Sequence, residues 1–115
     1  MKQNHLRRLT LDGDWTCAYG YHWDMDPAWT NAAACDAAPM TKIPAKVPGN
    51  FELDLERAQK CPEIFYGDNV YRLYDCENMD AVYYRTFDWD GDASVSPVLV
   101  CEGLDCYADI FLDGK

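Results

Sequence analysis

The side chains best suited to a polyhydroxylated ligand sit together at Phe65-Tyr66-Gly67-Asp68-Asn69. Tyr66 offers an aromatic face, and Asp68 and Asn69 supply the acceptors and donors that sugar hydroxyls require. Gly67 permits backbone shapes that other residues resist. The same residue types bond their own backbone readily. A self-bonded loop that seals the end of a sheet is therefore the competing reading, and the favoured one. Tyr66, Asp68 and Asn69 are candidates for lying near a substrate, not for transforming it. Trp23 and Trp29 are candidate stacking platforms, with a place in the core as the equal alternative. Glu52, Asp54 and Glu56 crowd one segment, but acids at alternate positions of a helix do not share a face. A solvated surface explains them better than acid/base chemistry. Arg85 shares a strand face with Phe87 and Trp89, and is expected to pair with a carboxylate or stack on Trp89.

No catalytic residue is assigned. The chain has no Ser-His-Asp set, no phosphate-binding glycine loop and no dinucleotide fingerprint. His5 and His22 are the only imidazoles, and no Cys-x-x-Cys pair occurs, so no metal site and no cofactor are expected. Six cysteines stand at 17, 35, 61, 76, 101 and 106. An even count invites disulfides, but the spacing is unpatterned. The polar, basic start from Met1 to Arg8 is not followed by the apolar run of a secretory signal. Free, mostly buried thiols in a reducing, cytoplasmic setting are expected.

The elements that must position these residues can be read from period and punctuation. Leu9 to Leu11, the dipeptide Asp12-Gly13 and the alternating Trp15, Cys17 and Tyr19 predict a hairpin whose second strand turns its aromatics inward. Asp26 with Pro27 behind it predicts a capped helix running through the alanines to about Ala38. Ile43 to Val47 is extended, and Pro48-Gly49 is a sharp turn. Asn50 caps a helix from Phe51 to about Gln59 that buries Phe51, Leu55 and Ala58. Ile64 to Asn69 is a loop, and a short helix from Val70 to Cys76 has Asn69 as its cap. From Ala81 the period returns to two, with Val82, Tyr84 and Thr86 opposite Tyr83, Arg85, Phe87 and Trp89. Asp90 to Ser96 is a loop; Pro97 to Glu102 and Tyr107 to Leu112 are strands. Short strands at regular intervals predict a mainly β, antiparallel sandwich with one or two short helices.

The chain has 115 residues, 49% of them hydrophobic, with 4 Trp, 8 Tyr and 4 Phe, so it can bury a core as one domain. Acidic residues number 20 against 10 basic ones, for a net charge of -10. That balance disfavours nucleic acid and anionic membrane surfaces as partners but not a neutral one. No segment approaches the ~20 apolar residues of a membrane span. Asp113-Gly114 is a hairpin turn without a second strand, which predicts a chain cut inside its domain, with C-terminal strands missing from the domain at 1–115.

In order along the chain, these punctuating residues resemble the N-terminal sugar-binding-type domain of glycoside hydrolase family two, and its β-mannosidase-like branch in particular. Leu11, Gly13 and Trp15 resemble the opening Leu-x-Gly-x-Trp. Val47-Pro48-Gly49 resembles the Val-Pro-Gly turn, and Phe65 to Asn69 the Phe-Tyr-Gly-Asp-Asn loop. Tyr84-Arg85 and Phe87 resemble a Tyr-Arg-x-x-Phe strand. Glu102 to Asp105 with Tyr107 to Gly114 resembles the Glu-Gly-Leu-Asp segment and the strand and turn behind it. Cys101, Cys106 and Asp113 depart from the pattern, and the stretch 22–42 matches no part of it. The resemblance implies a galactose-binding-like jelly roll ahead of an immunoglobulin-like domain and a (β/α)₈ barrel. It implies a parent that hydrolyses β-linked sugars with retention, using two Glu residues of the barrel. This chain would then be non-catalytic, with those two domains and a β-linked sugar as its partners. A stand-alone carbohydrate-binding jelly roll and a purely structural interaction domain remain the alternatives.

Overall fold

A computed structural model describes residues 8–91, 94–105 and 107–115. His5, Cys106 and most of the basic N-terminus lie outside these residues. The chain builds one antiparallel sheet of three strands, β1 (Gly13–Tyr21), β2 (Thr41–Val47) and β3 (Met79–Tyr84), in the order β2-β1-β3. Two short helices, α1 (Ala32–Ala37) and α2 (Phe51–Arg57), and two 3-10 segments, His22–Asp24 and Asn69–Asn78, complete the described elements. The class is the expected one: mainly β, antiparallel, with a few short helices.

Register explains how the sheet is covered. Cys17 pairs with Ile43 on one side and Tyr83 on the other, and paired residues of antiparallel strands share a face. Trp15, Cys17, Tyr19, Ile43, Ala45 and Tyr83 therefore line one face, against which Leu55, Phe51 and Ala58 of the α2 region pack. Phe51 meets Tyr19 edge-on, with ring centroids 5.2 Å apart. The opposite face carries Ala18, also fully buried, and Tyr84, whose hydroxyl donates to Asp36 Oδ1 in α1 at 2.5 Å. The inward period of β1 is as expected; burial of its second face is an addition. Pro44 sits in β2, an edge strand, where a missing ladder donor is tolerated.

Local signals set several boundaries as read. Asn50 Oδ1 accepts from the Leu53 amide at 2.9 Å and caps α2. The Val47-Pro48 peptide is cis. At Gly49 a Cβ would lie 2.4 Å from the Lys46 carbonyl oxygen, so only glycine fits that turn.

Other expectations are corrected. Leu9 to Leu11 form no strand, and Asp12-Gly13 is not a hairpin turn; Gly13 opens β1 with φ +119°. The Leu11 carbonyl, which a ladder would need, instead accepts from Trp15 Nε1 and Arg85 Nη1. Asp26 starts no helix: its side chain and carbonyl close a local turn on the Ala28 and Trp29 amides. Asn31 caps α1 instead, accepting from the Ala34 amide. Asn69 is not a cap, because its side chain bonds the Glu63 carbonyl, and the helix behind it is 3-10 from Asn69 to Asn78. β3 stops at Tyr84, where the Arg85 side chain is drawn back to the Leu11 carbonyl. The runs from Pro97 to Glu102 and from Tyr107 to Leu112 enter no ladder among the described residues. A period of two prescribes an extended backbone, but a strand also needs a neighbour to bond. The turn at Asp113-Gly114 does form, with Leu112 and Lys115 exchanging both backbone hydrogen bonds and φ positive at both central residues.

Candidate functional site

The candidate loop is built on the end of α2. That helix presents Asp54 inward, not to solvent as expected: its side chain is 1% exposed. Asp54 Oδ1 accepts from the Lys46 amide at 3.1 Å and from Arg57 Nη1 at 2.7 Å, and Oδ2 accepts from the Tyr83 hydroxyl at 2.8 Å. Asp54 departs from a solvated surface because it and Leu55 are the buried residues of α2, on the side that packs against the sheet. Burial, then the bond to Asp54, pushes the Tyr83 hydroxyl well above the usual phenol range. Burial pushes the neighbouring Cys17 thiol up to about 12. Both groups stay protonated at neutral pH and are unsuited to nucleophilic work.

Glu56, half-buried, reaches forward from α2. Its Oε1 accepts from the Ile64 amide at 2.8 Å, and the Ile64 side chain is buried. The chain then bonds itself: the Tyr66 amide to Glu63 O, the Asn69 amide to Tyr66 O and the Tyr71 amide to Asp68 O. Asn69 Nδ2 closes the base of the loop on Glu63 O at 2.8 Å, and Gly67 takes φ +56°. The backbone is thus the self-bonded loop of the favoured reading. The side chains divide. Asn69 is spent on structure. Tyr66 is 74% exposed, and neither its hydroxyl nor the Asp68 carboxylate bonds another described residue. An open recess of about 770 Å³, lined by Glu56, Gln59, Lys60, Cys61, Pro62 and Glu63, lies just ahead of the loop in the chain.

The remaining candidates are placed elsewhere. Trp23 is 67% exposed and is not in the core, whereas Trp29 is half-buried. Arg85 stacks over Trp15 at 6.0 Å, not Trp89, and bonds the Leu11 carbonyl rather than a carboxylate. A shallow groove of about 340 Å³ passes Asp14, Trp15, Thr16, Asp36, Tyr84 and Arg85. Lys46 bonds Asp14 there and holds its carboxyl below the usual range. Asp14, Asp36 and Tyr84 were not legible as neighbours, because they come from β1, α1 and β3, which only the tertiary packing brings together. Among the described residues no cluster of three or more His, Cys, Asp or Glu could hold a metal ion. No helix among them is long and apolar enough to cross a membrane.

The described residues form a β-rich antiparallel domain that carries a self-bonded loop with exposed polar and aromatic side chains. The family model described as glycosyl hydrolase 2 galactose-binding domain-like matches residues 23–115. The chain belongs to that family, and the domain is the galactose-binding-like, non-catalytic type found in glycosidases. The match takes in the loop at Phe65 to Asn69 and the segment from Glu102 to Gly114; the opening at Leu11 to Trp15 precedes it. Neither the curated proteins nor the solved structures contain a match.

Proposed function

We propose that this chain is the N-terminal domain of a β-mannosidase-like retaining exo-glycosidase, and that the loop at 64–69 forms part of the rim of its substrate pocket. Its partners in that protein would be an immunoglobulin-like domain and a (β/α)₈ barrel. The barrel would carry the two catalytic Glu residues, about 5–5.5 Å apart, at the ends of its strands. A pocket between domains is where small ligands often bind. The observation that supports the reading is the division within the loop. Its backbone is tied to α2 through Glu56 and Ile64, while Tyr66 and Asp68 are held outward with no described partner. A loop serving only as a seal would spend those side chains on its own chain. The β-mannosidase branch rests on the run from Phe65 to Asn69 and on Glu102 to Asp105.

The test is a Tyr66→Ala, Asp68→Ala double variant of the parent enzyme, assayed on β-mannosides. Neither side chain has a described hydrogen bond to lose, so Tm should change by less than about 2 °C, the scale of a surface substitution. Loss of two substrate contacts should lower kcat/KM by about 10- to 100-fold. Unchanged kinetics would make the loop purely structural. Turnover of other β-glycosides with none of β-mannosides would remove the branch assignment and leave the rim reading in place.

A further inference from the structure

A second exposed aromatic feature stands at the end of β1. Tyr21 closes that strand, and Trp23 stands on the 3-10 segment that follows. Their rings stack with centroids 4.8 Å apart and planes within 5° of parallel. Tyr21 and the next residue, His22, are each tied to a distant part of the chain. The Tyr21 hydroxyl donates to Asp75 Oδ2 at 2.5 Å, on the 3-10 helix that the loop leads into. His22 Nδ1 meets Asp80 Oδ2 at 2.8 Å, on β3. Hydrophobic burial favours hiding an indole, yet here the two residues that lead into Trp23 are tied down while the indole stays 67% exposed. One face of the Trp23 ring is covered by Tyr21, and most of the ring is presented to solvent.

We infer that the Tyr21–Trp23 stack is a binding platform for a neutral pyranose, distinct from the loop at 64–69. The apolar C–H face of a pyranose lies flat on an aromatic ring, and its hydroxyls donate to carboxylates around it. Asp24, exposed and next to Trp23 in the chain, is the acceptor available for that role, while Asp75 and Asp80 are engaged by Tyr21 and His22. The same acids and the net charge of -10 repel phosphorylated or carboxylated ligands. An organic cation also suits an acidic aromatic surface. Membership of a galactose-binding-like family favours the sugar, and the choice of ligand rests on that reading; the geometry of the platform does not. A held platform loses little side-chain freedom on binding, which is why preorganisation favours affinity.

The experiment observes the indole N–H signals of the 115-residue chain by NMR. The probes are methyl β-D-mannopyranoside, methyl β-D-galactopyranoside, β-1,4-mannotetraose and tetramethylammonium chloride. The Trp23 signal should shift saturably with at least one sugar, with a dissociation constant on the order of 1 mM. The Trp15 signal, whose N–H is bonded to the Leu11 carbonyl, should not move and reports that the fold is intact. Trp23→Ala should weaken binding by about tenfold or more, with Trp23→Phe between the two. Tyr66→Ala with Asp68→Ala should leave the Trp23 titration unchanged. The inference is overturned by no saturable shift at Trp23 in a chain with native Trp15, by response to tetramethylammonium alone, or by full affinity in Trp23→Ala. Sugar binding lost in the Tyr66, Asp68 variant but kept in Trp23→Ala would overturn the platform and leave the rim reading standing.

Discussion

Three donors converge on the Asp54 carboxylate. Removing a carboxylate from water costs several kcal/mol unless donors replace the lost solvent. Here the Lys46 amide, Arg57 and the Tyr83 hydroxyl replace it, and no buried side-chain polar atom among the described residues lacks a partner. The group joins β2, β3 and α2 at one point. Asp54→Ala would strand the Tyr83 hydroxyl against the apolar cluster and remove the acceptor of the Lys46 amide, while Arg57, about half exposed, can turn to water. The expected loss is roughly 2–4 kcal/mol of unfolding free energy in urea titrations. Asp54→Asn, which keeps an acceptor, should lose less. A change within experimental error for the alanine variant would mean that the bonds add nothing net to stability. The raised Tyr83 and Cys17 groups belong to the same packing, and their displacement is a sign of burial rather than of reactivity.

At the scale of elements, α2 is only Phe51–Arg57, far shorter than the ~12–15 residues a helix needs to be stable alone. It persists because Asn50 caps it and because Phe51 and Leu55 are packed on the sheet. It also acts as the fixed end of the loop through Glu56. Glu56→Ala should free the Ile64 amide and loosen the loop while leaving the helix intact. Hydrogen exchange should then quicken about 10-fold at Ile64, for a lost bond of roughly 1–2 kcal/mol, with little change at Asp54 and Ala58. Equal protection at Ile64 in the variant would show that burial of its side chain, not the carboxylate, holds the loop.

For the whole molecule, the radius of gyration is 17.0 Å and the principal extents are 62 × 31 × 21 Å. A compact domain of this length has a radius near about 13 Å. The excess goes with the segment after β3, where Val98 is 82% and Tyr107 98% exposed, and Leu99, Val100, Ile110 and Phe111 are also open. Within it, residues 97–105 and 107–112 enter no ladder, and a run with strand period, open apolar side chains and no ladder partner is a template for another chain. The net charge of -10 opposes association at long range but is screened beyond about 8–10 Å at ordinary salt. The 115-residue chain should therefore sediment with a weight-average mass that rises with concentration over the micromolar range. Val98→Lys with Val100→Lys should suppress the rise. A single monomer boundary at every concentration would show that the segment is protected in solution.

The features legible in the sequence are those decided within a few residues. The Asn50 cap acts on an amide three positions away, Gly49 answers a contact with Lys46, and Asp113-Gly114 adopts the φ values that such a dipeptide accepts readily. Period placed β1, and a run of turn-forming residues placed the loop at 64–69, because pattern and punctuation are properties of contiguous chain. Tertiary structure decided everything that depends on a distant partner. Whether Asp54 faced water or the core turned on Tyr83, 29 residues away. Arg85 chose Trp15 and the Leu11 carbonyl over the nearer Trp89. Tyr21 and Trp23 became a held stack only when Asp75 and Asp80 arrived from more than 50 positions downstream. The segment from Pro97 to Leu112 carries the period of strands, but the hydrogen bonds of a strand belong jointly to two segments, and one sequence run cannot supply both.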